Sequence, residues 1–204
     1  MIEFDHIAVS GETLEEATEA VESALGVAMQ PGGRHDVFFT HNRLLGLADG
    51  LYLEAIAADP DARQPTRPRW FDLDRFAGAP RLTNWICRCD DLEAVLRQLG
   101  PGPGAPVDLQ RGDLRWRMAV PENGILPFDN MHPALIQWQT DRHPAESLNP
   151  SGCRLTRLVV AHPEAAALRD ALGGLLDNAR IVFEPGARAM QAEFDTPHGT
   201  RVLQ

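Results

Sequence analysis

One phrase occurs three times in this chain: a strand-like alternation, a short amphipathic helix, then a glycine. "IEFDHIAVS" precedes "GETLEEATEAVESALG", "RLTNWICRC" precedes "DDLEAVLRQLG", and "CRLTRLVVA" precedes "HPEAAALRDALGG". The phrase returns roughly every 75 residues, and self-similarity of that kind means a fold assembled from copies of one supersecondary unit. In the first copy Thr13 and Glu16 have capping-box spacing, Leu14, Ala17, Val21, Ala24 and Leu25 mark one helical face, and Gly26 ends it. In the second, Asp90 and Glu93 have related spacing, Leu92, Val95, Leu96 and Leu99 form the stripe, and Gly100 ends it. In the third, Pro163 suits the first turn, Leu168 and Leu172 mark the face, and Gly173 closes the phrase.

Further strand signals follow each helix. After the first come a short "VAMQ", then "VFFTHNRLLGL" and "LYLEAIA", joined through Ala48-Asp49-Gly50, where Asp-Gly between apolar runs signals a hairpin. After the second come "LRWRMAV" and "PALIQWQ", and after the third "ARIVFEPG", "AMQAEFDT" and "GTRVLQ". The chain is therefore predicted to be α+β, with three βαβββ units at about 1–58, 81–140 and 153–204. Residues 59–80 link the first pair. One helical stripe covers one sheet face: Ile7 and Val9, Trp85 and Cys87, and Leu158 and Val160 are assigned to it. The other face carries His6 and Ala8, Asn84 and Ile86, and Arg157 and Val159; it must be covered too, or line a cavity.

A formal net charge of −10 argues against a phosphate-tracking surface, so nucleic acid is not an expected partner. No apolar run approaches the roughly 18 residues of a membrane span, and "MIEFDH" does not read as a leader, so a cytoplasmic protein is expected. Three cysteines, with Cys87 and Cys89 two apart on a strand, build neither a disulfide framework nor a zinc site. No phosphate loop, dinucleotide fingerprint, serine elbow or HExxH is present.

Strand parity brings polar side chains together. With a two-residue turn at Asp49-Gly50 or at Ala48-Asp49, His41, Arg43 and Glu54 share one face and Asn42 takes the other; a three-residue turn would break this parity. Asp5, next to His6, points away from it on a regular strand. Arg43 is the best placed of the arginines to neutralise an acidic substrate. Trp70 and Phe71, in the linker, are candidates for an apolar lid.

The "DHIAV", "THN" and "YLE" strands on repeated βαβββ units resemble the vicinal oxygen chelate superfamily, which includes glyoxalase I, extradiol dioxygenases and bleomycin-resistance proteins. "GGRH", "YLEAIA", "RWRMAV", "LPF" and "DTPHGTRVL" are similar to its uncharacterised glyoxalase-like branch. The resemblance implies mixed, curved sheets in which residues 1–140 form a cup around a small-molecule pocket, with 153–204 as a half-module. It implies first-strand and last-strand ligands: His6 and Glu54 from the first unit, Asn84 and Gln137 from the second. His6, His41 and Glu54, two histidines and a glutamate, would hold zinc, nickel, manganese or iron and leave open positions for water or a substrate, with Gln137 as a fourth ligand or a substrate contact. Asn84, Gln137, His41, Arg43 and Trp70 are expected to contact substrate, and Glu54 and His6 to be catalytic. The leading expectation is a glyoxalase-like enzyme, with or without a divalent metal, acting on a small oxygen-rich molecule. The alternative is a metal-free binding or sequestration protein of the bleomycin-resistance type. A dimeric scaffold with a vestigial pocket is a third reading. The unpaired third unit is expected either to act as a lid or to pair with its copy in a homodimer.

Overall fold

The computed structural model describes residues 1–63 and 65–204. β1 (Glu3–Ser10) leads into α1 (Leu14–Leu25), followed by β2 (Gln30–His35), β3 (Thr40–Gly46) and β4 (Tyr52–Ala58). β5 (Arg81–Arg88) and α2 (Leu92–Leu99) repeat the phrase, with β6 (Ala105–Arg111), β7 (Leu114–Val120), a single turn α3 (Pro127–Asn130) and β8 (Ala134–Trp138). β9 (Arg154–His162), α4 (Ala165–Ala171), β10 (Ile181–Pro185), β11 (Ala189–Thr196) and β12 (Gly199–Leu203) complete the chain.

The helix ends follow the sequence chemistry. Thr13 accepts from the Glu16 amide while Glu16 accepts from the Thr13 amide, and Gly26 ends α1 in the left-handed conformation. Asp91, rather than Asp90, caps α2 by accepting from the Ala94 amide.

Eight strands form one sheet in the order β2-β3-β4-β1-β5-β8-β7-β6, with β1 antiparallel to β5 at the centre. Each half places its last strand parallel to its first, β4 beside β1 and β8 beside β5. The sheet curls until its two edges meet, because Arg111 on β6 donates hydrogen bonds to His35 on β2 and Asn42 on β3. The third unit keeps the element order but not the pairing. Its sheet runs β10-β9-β11-β12, so the parallel partner of β9 is β10, the strand directly after α4, and β11 pairs antiparallel on the other side.

Two cores result. The outer face of the large sheet, with Ile7, Val9, Leu53, Trp85 and Cys87, packs with the α1 stripe and with Leu155, Leu158, Leu168, Phe194 and Leu203 of the third unit. The small sheet therefore lies on the convex side, against α1 and β5, and is not a lid over the cup. Burying each of these large side chains stabilises the fold by about 1.5–3 kcal/mol. The inner core holds Ala8, Ile56, Ile86, Trp116, Met118 and Ile136, capped by Trp70 and Phe71 from the linker. Among the described residues no helix is long and apolar enough to cross a membrane.

Candidate functional site

The cup is almost filled. Trp70 stacks on Phe38 at 4.3 Å and on Phe71 at 5.2 Å between ring centroids, and both linker aromatics are buried. What remains is a cavity of about 30 Å³, lined by His6, His35, Tyr52, Glu54, Arg111 and Trp138, among others. That is room for a water or two. Trp70 thus plugs the cup rather than merely covering it.

His6 and Glu54 are brought together as expected. His6 Nε2 and Glu54 Oε2 stand 3.9 Å apart. Behind His6, Nδ1 donates to Asp5 Oδ1 at 2.6 Å. Strict alternation predicts that Asp5 points away, but a β-bulge between Phe4 and His6 in the β1–β5 pairing turns it to the same side. Asp5 is completely buried, and its second oxygen accepts from Trp138 Nε1 at 3.1 Å and His143 Nε2 at 2.9 Å. Burial alone would raise the Asp5 pKa; the hydrogen bonds from His143 and His6 outweigh it and hold the carboxyl well below the usual carboxylate range. An ionised Asp5 can only accept from Nδ1, so in the neutral imidazole Nε2 is the nitrogen that carries the lone pair, and it faces the cavity. Tyr52 stacks on His6 at 4.2 Å, with its hydroxyl 3.4 Å from Nε2. Burial, with Asp5 and Glu54 nearby, pushes the phenol pKa up, so Tyr52 stays protonated.

Glu54 is held from behind by Asn42, whose Nδ2 donates to Oε1 at 2.5 Å. This corrects the parity expected for β3. The connection from β3 to β4 is the three-residue turn Ala48–Gly50, with Asp49 and Gly50 both at positive φ, and Leu44 faces Glu54 across the pair. The register moves by one residue, so Asn42 enters the cup while His41 and Arg43 go to the outer face. Arg43 is exposed there, and His41 Nε2 is buried without a hydrogen-bond partner among the described residues. The cationic group in the cup is instead Arg111, which lines both the cavity and a broad outer depression of about 570 Å³.

His35, at the mouth, shares its Nδ1 with Thr40 Oγ1 at 2.9 Å and accepts from Arg111 Nη1 at 3.2 Å. Burial first, and then the charges of Arg111, His6 and His41, hold its pKa well below the imidazole range, so it stays neutral. Gly32 and Gly33 permit this packing. A Cβ on Gly32 would lie 2.1 Å from Asn42 Oδ1 and 2.5 Å from its backbone oxygen, and one on Gly33 would lie 2.6 Å from Arg111 Cδ. Gly32→Ala is expected to cost about 1–3 kcal/mol in urea unfolding by forcing Asn42 off Glu54; an unchanged midpoint would contradict this account of the clasp.

The second unit contributes less than the resemblance implies. Ala8 faces Glu54 in β1–β4, and Ile86 faces Ala134 in β5–β8, so the counterpart of Glu54 is Ala134. Gln137 lies on the opposite face of β8 from Ile136, and its amide donates to the Asp90 carbonyl at 2.6 Å. Asn84 is on the cup side, but it is covered by Asn130, whose Nδ2 lies 3.4 Å from Asn84 Oδ1 and 3.2 Å from the Phe71 carbonyl. A divalent metal held by His6, Glu54 and His41 does not fit this arrangement, because His41 points outward. Among the described residues no group of three His, Cys, Asp or Glu side chains is arranged to hold a metal ion. Sequence reasoning missed Asp5, Asn42, Arg111 and His143 as members of the site.

The glyoxalase-like domain family matches residues 4–176. The chain belongs to this family. The vicinal oxygen chelate resemblance is upheld with it. Among solved structures, a hypothetical protein from Staphylococcus aureus shares the fold at a TM-score of 0.60 and 15% identity, over 93% of this chain and 88% of that one. Methylmalonyl-CoA epimerase from Mycobacterium tuberculosis superposes at a TM-score of 0.42 and 19% identity, over 67% and 86%. A Streptomyces coelicolor methylmalonyl-CoA epimerase variant, in complex with 2-nitronate-propionyl-CoA, gives 0.44 and 12%, over 68% and 98%. No curated protein sequence matches the chain. A glyoxalase-like cup with two opposed titratable groups, each anchored from behind, is suited to moving a proton on a small molecule.

Proposed function

We propose that this glyoxalase-like protein is a small-molecule enzyme that transfers a proton within the cup, on a small, oxygen-rich, anionic substrate. The observation that carries the reading is the facing pair His6 Nε2 and Glu54 Oε2, 3.9 Å apart, backed by Asp5 and Asn42. His6 Nε2 takes a proton from a carbon beside a carbonyl, and the Asp5 and Glu54 carboxylates stabilise the imidazolium that forms. The electron pair left on the substrate moves to its carbonyl oxygen, where the Tyr52 hydroxyl and Arg111 supply donors. Return of the proton from His6 completes the exchange. Substrate entry requires Trp70 and Phe71 to give way, since the cavity of about 30 Å³ is too small for an organic molecule. No step uses a metal.

A metal-free binding protein is the second reading, favoured by the aromatic plug and by Ala134 at the counterpart of Glu54. We also place the protein in the cytoplasm, with residues 1–140 as the module and 153–204 as an added half-module through which a homodimer forms.

Incubation in heavy water with small carboxylates bearing a carbonyl beside a C–H bond tests the enzyme reading. Wild type is expected to introduce deuterium, and Glu54→Gln and His6→Gln to lower the rate at least about 100-fold. Equal rates in the variants would refute it. Ligand-induced thermal stabilisation without exchange would instead establish the binding reading. Elemental mass spectrometry should find no stoichiometric zinc, nickel, manganese or iron after reconstitution. Metal that disappears in a His6→Ala/Glu54→Ala variant would restore the metalloenzyme expectation.

A further inference from the structure

A second pocket lies outside the cup. The linker from Phe71 to Pro80, the start of β5, Asn130 and Met131, and the loop entering β11 enclose a groove of about 410 Å³. That volume is in the range of small-molecule sites, roughly 300–1,000 Å³. Its floor is apolar, with Phe71, Leu82, Met131 and Met190 all buried.

Its rim is cationic, in a chain whose formal net charge is −10. Of the three arginines, Arg75 is already matched to Asp72 through two hydrogen bonds of 2.7 and 2.8 Å. Arg81 donates only to the carbonyls of Ala77 and Ala79, each at 3.1 Å, with its guanidinium 4.3 Å above the Phe76 ring. Arg188 donates to the Asp129 carbonyl at 3.1 Å. Neither Arg81 nor Arg188 forms an ion pair among the described residues. Two guanidiniums without counter-ions beside an apolar floor are complementary to a molecule with an anionic head and a short apolar tail.

The backbone around the groove is unusual in the same place. Phe71 and Asp72 on one side, and Phe128, Asp129 and Asn130 on the other, all adopt positive φ without being glycine. The two segments are tied by Asn130 Nδ2 donating to the Phe71 carbonyl. Such conformations cost about 1–3 kcal/mol each and gather where a ligand or a switch requires them. Phe71 lines both this groove and the cup cavity, so it is in contact with both spaces.

We propose that this groove is a binding site for a small organic carboxylate, with Arg81 and Arg188 holding the carboxylate and the Phe71–Met190 floor taking the apolar tail. The site is separate from the cup, and its test does not depend on Glu54. Isothermal titration with hexanoate, hexanol and inorganic phosphate reads it directly. Hexanoate is expected to bind saturably, and the uncharged alcohol and phosphate at least about tenfold more weakly, because each lacks one half of the recognition. Arg81→Met/Arg188→Met retains the apolar stems and is expected to weaken hexanoate at least about tenfold, while Arg81→Lys/Arg188→Lys restores part of the affinity. Glu54→Gln is expected to bind as wild type. The proposal is overturned by absence of saturable hexanoate binding, by binding unaffected in the methionine double variant, or by loss of binding in Glu54→Gln, which would place the ligand in the cup. Folding of each variant is checked by its thermal transition, and a folded methionine variant with full affinity also sinks the assignment.

Discussion

Asp5→Ala is expected to lower stability by about 3–5 kcal/mol, the cost of removing one partner from a buried ionic network. The carboxylate is completely buried and accepts from His6, His143 and Trp138, and alanine leaves all three donors without that acceptor. Urea unfolding at pH 7 measures the loss, and a change below about 1 kcal/mol would show that water replaces the carboxylate at little cost. Asp5→Asn preserves the shape and part of the hydrogen bonding, so it should be less damaging. It should nevertheless impair proton transfer, because an amide nitrogen turned toward His6 would drive the proton to Nε2. The acid limb follows from the same group. Its folded pKa is depressed, so on acidification the unfolded chain binds the proton first. Its stabilising contribution is present above the ordinary aspartate value near 3.9 and is lost as pH falls toward the lower folded value.

A second loss is expected at milder acidity. His132 is buried, and that burial lowers its pKa from 6.5 to about 4 even though its Nδ1 donates to the Pro133 carbonyl at 2.8 Å. Between those two values the unfolded chain takes up a proton that the folded chain refuses, so stability falls as pH falls. The shift corresponds to roughly 3 kcal/mol between pH 6.5 and 4. His35, whose pKa is also held low by burial first, adds to the loss in the same window. Urea midpoints at pH 7.5 and 4.5 should therefore differ strongly in wild type and less in His132→Gln. An identical pH slope in the two proteins would show that His132 reaches solvent.

The frame of the fold was legible because its signals are local. Capping at Thr13 and Glu16, the glycine after each helix, and the apolar positions Ile7, Val9, Trp85 and Cys87 fix the helices and the buried face within a few residues. β6 was invisible for the opposite reason. Ala105–Arg111 contains Pro106 and Asp108 and lies at a sheet edge, so it carries no clear alternation. Half of the site was legible, as His6 and Glu54 occupy regular positions on central strands. Asn42 was exchanged for His41 because one extra residue in the turn at Ala48–Gly50 reverses every side chain upstream of it. Asp5 was lost because a bulge suspends alternation at that residue. Arg111 meets His35 across 76 positions of sequence, a distance no short-range pattern spans.

The meeting of β2 and β6 bears on how the molecule avoids pairing with its neighbours. An edge strand offers a row of unused amides and carbonyls to any other chain. In the large sheet both edges are blunted: β2 contains Pro31 followed by two glycines, and the Arg111 side chain ties β6 back across the gap. In the small sheet β10 ends in Glu184 and Pro185, a charge and a residue that cannot donate. β12 has no proline and is exposed over most of its length. Open strand addition is thereby concentrated on a single five-residue ribbon, and Arg201 in its middle guards that ribbon with charge.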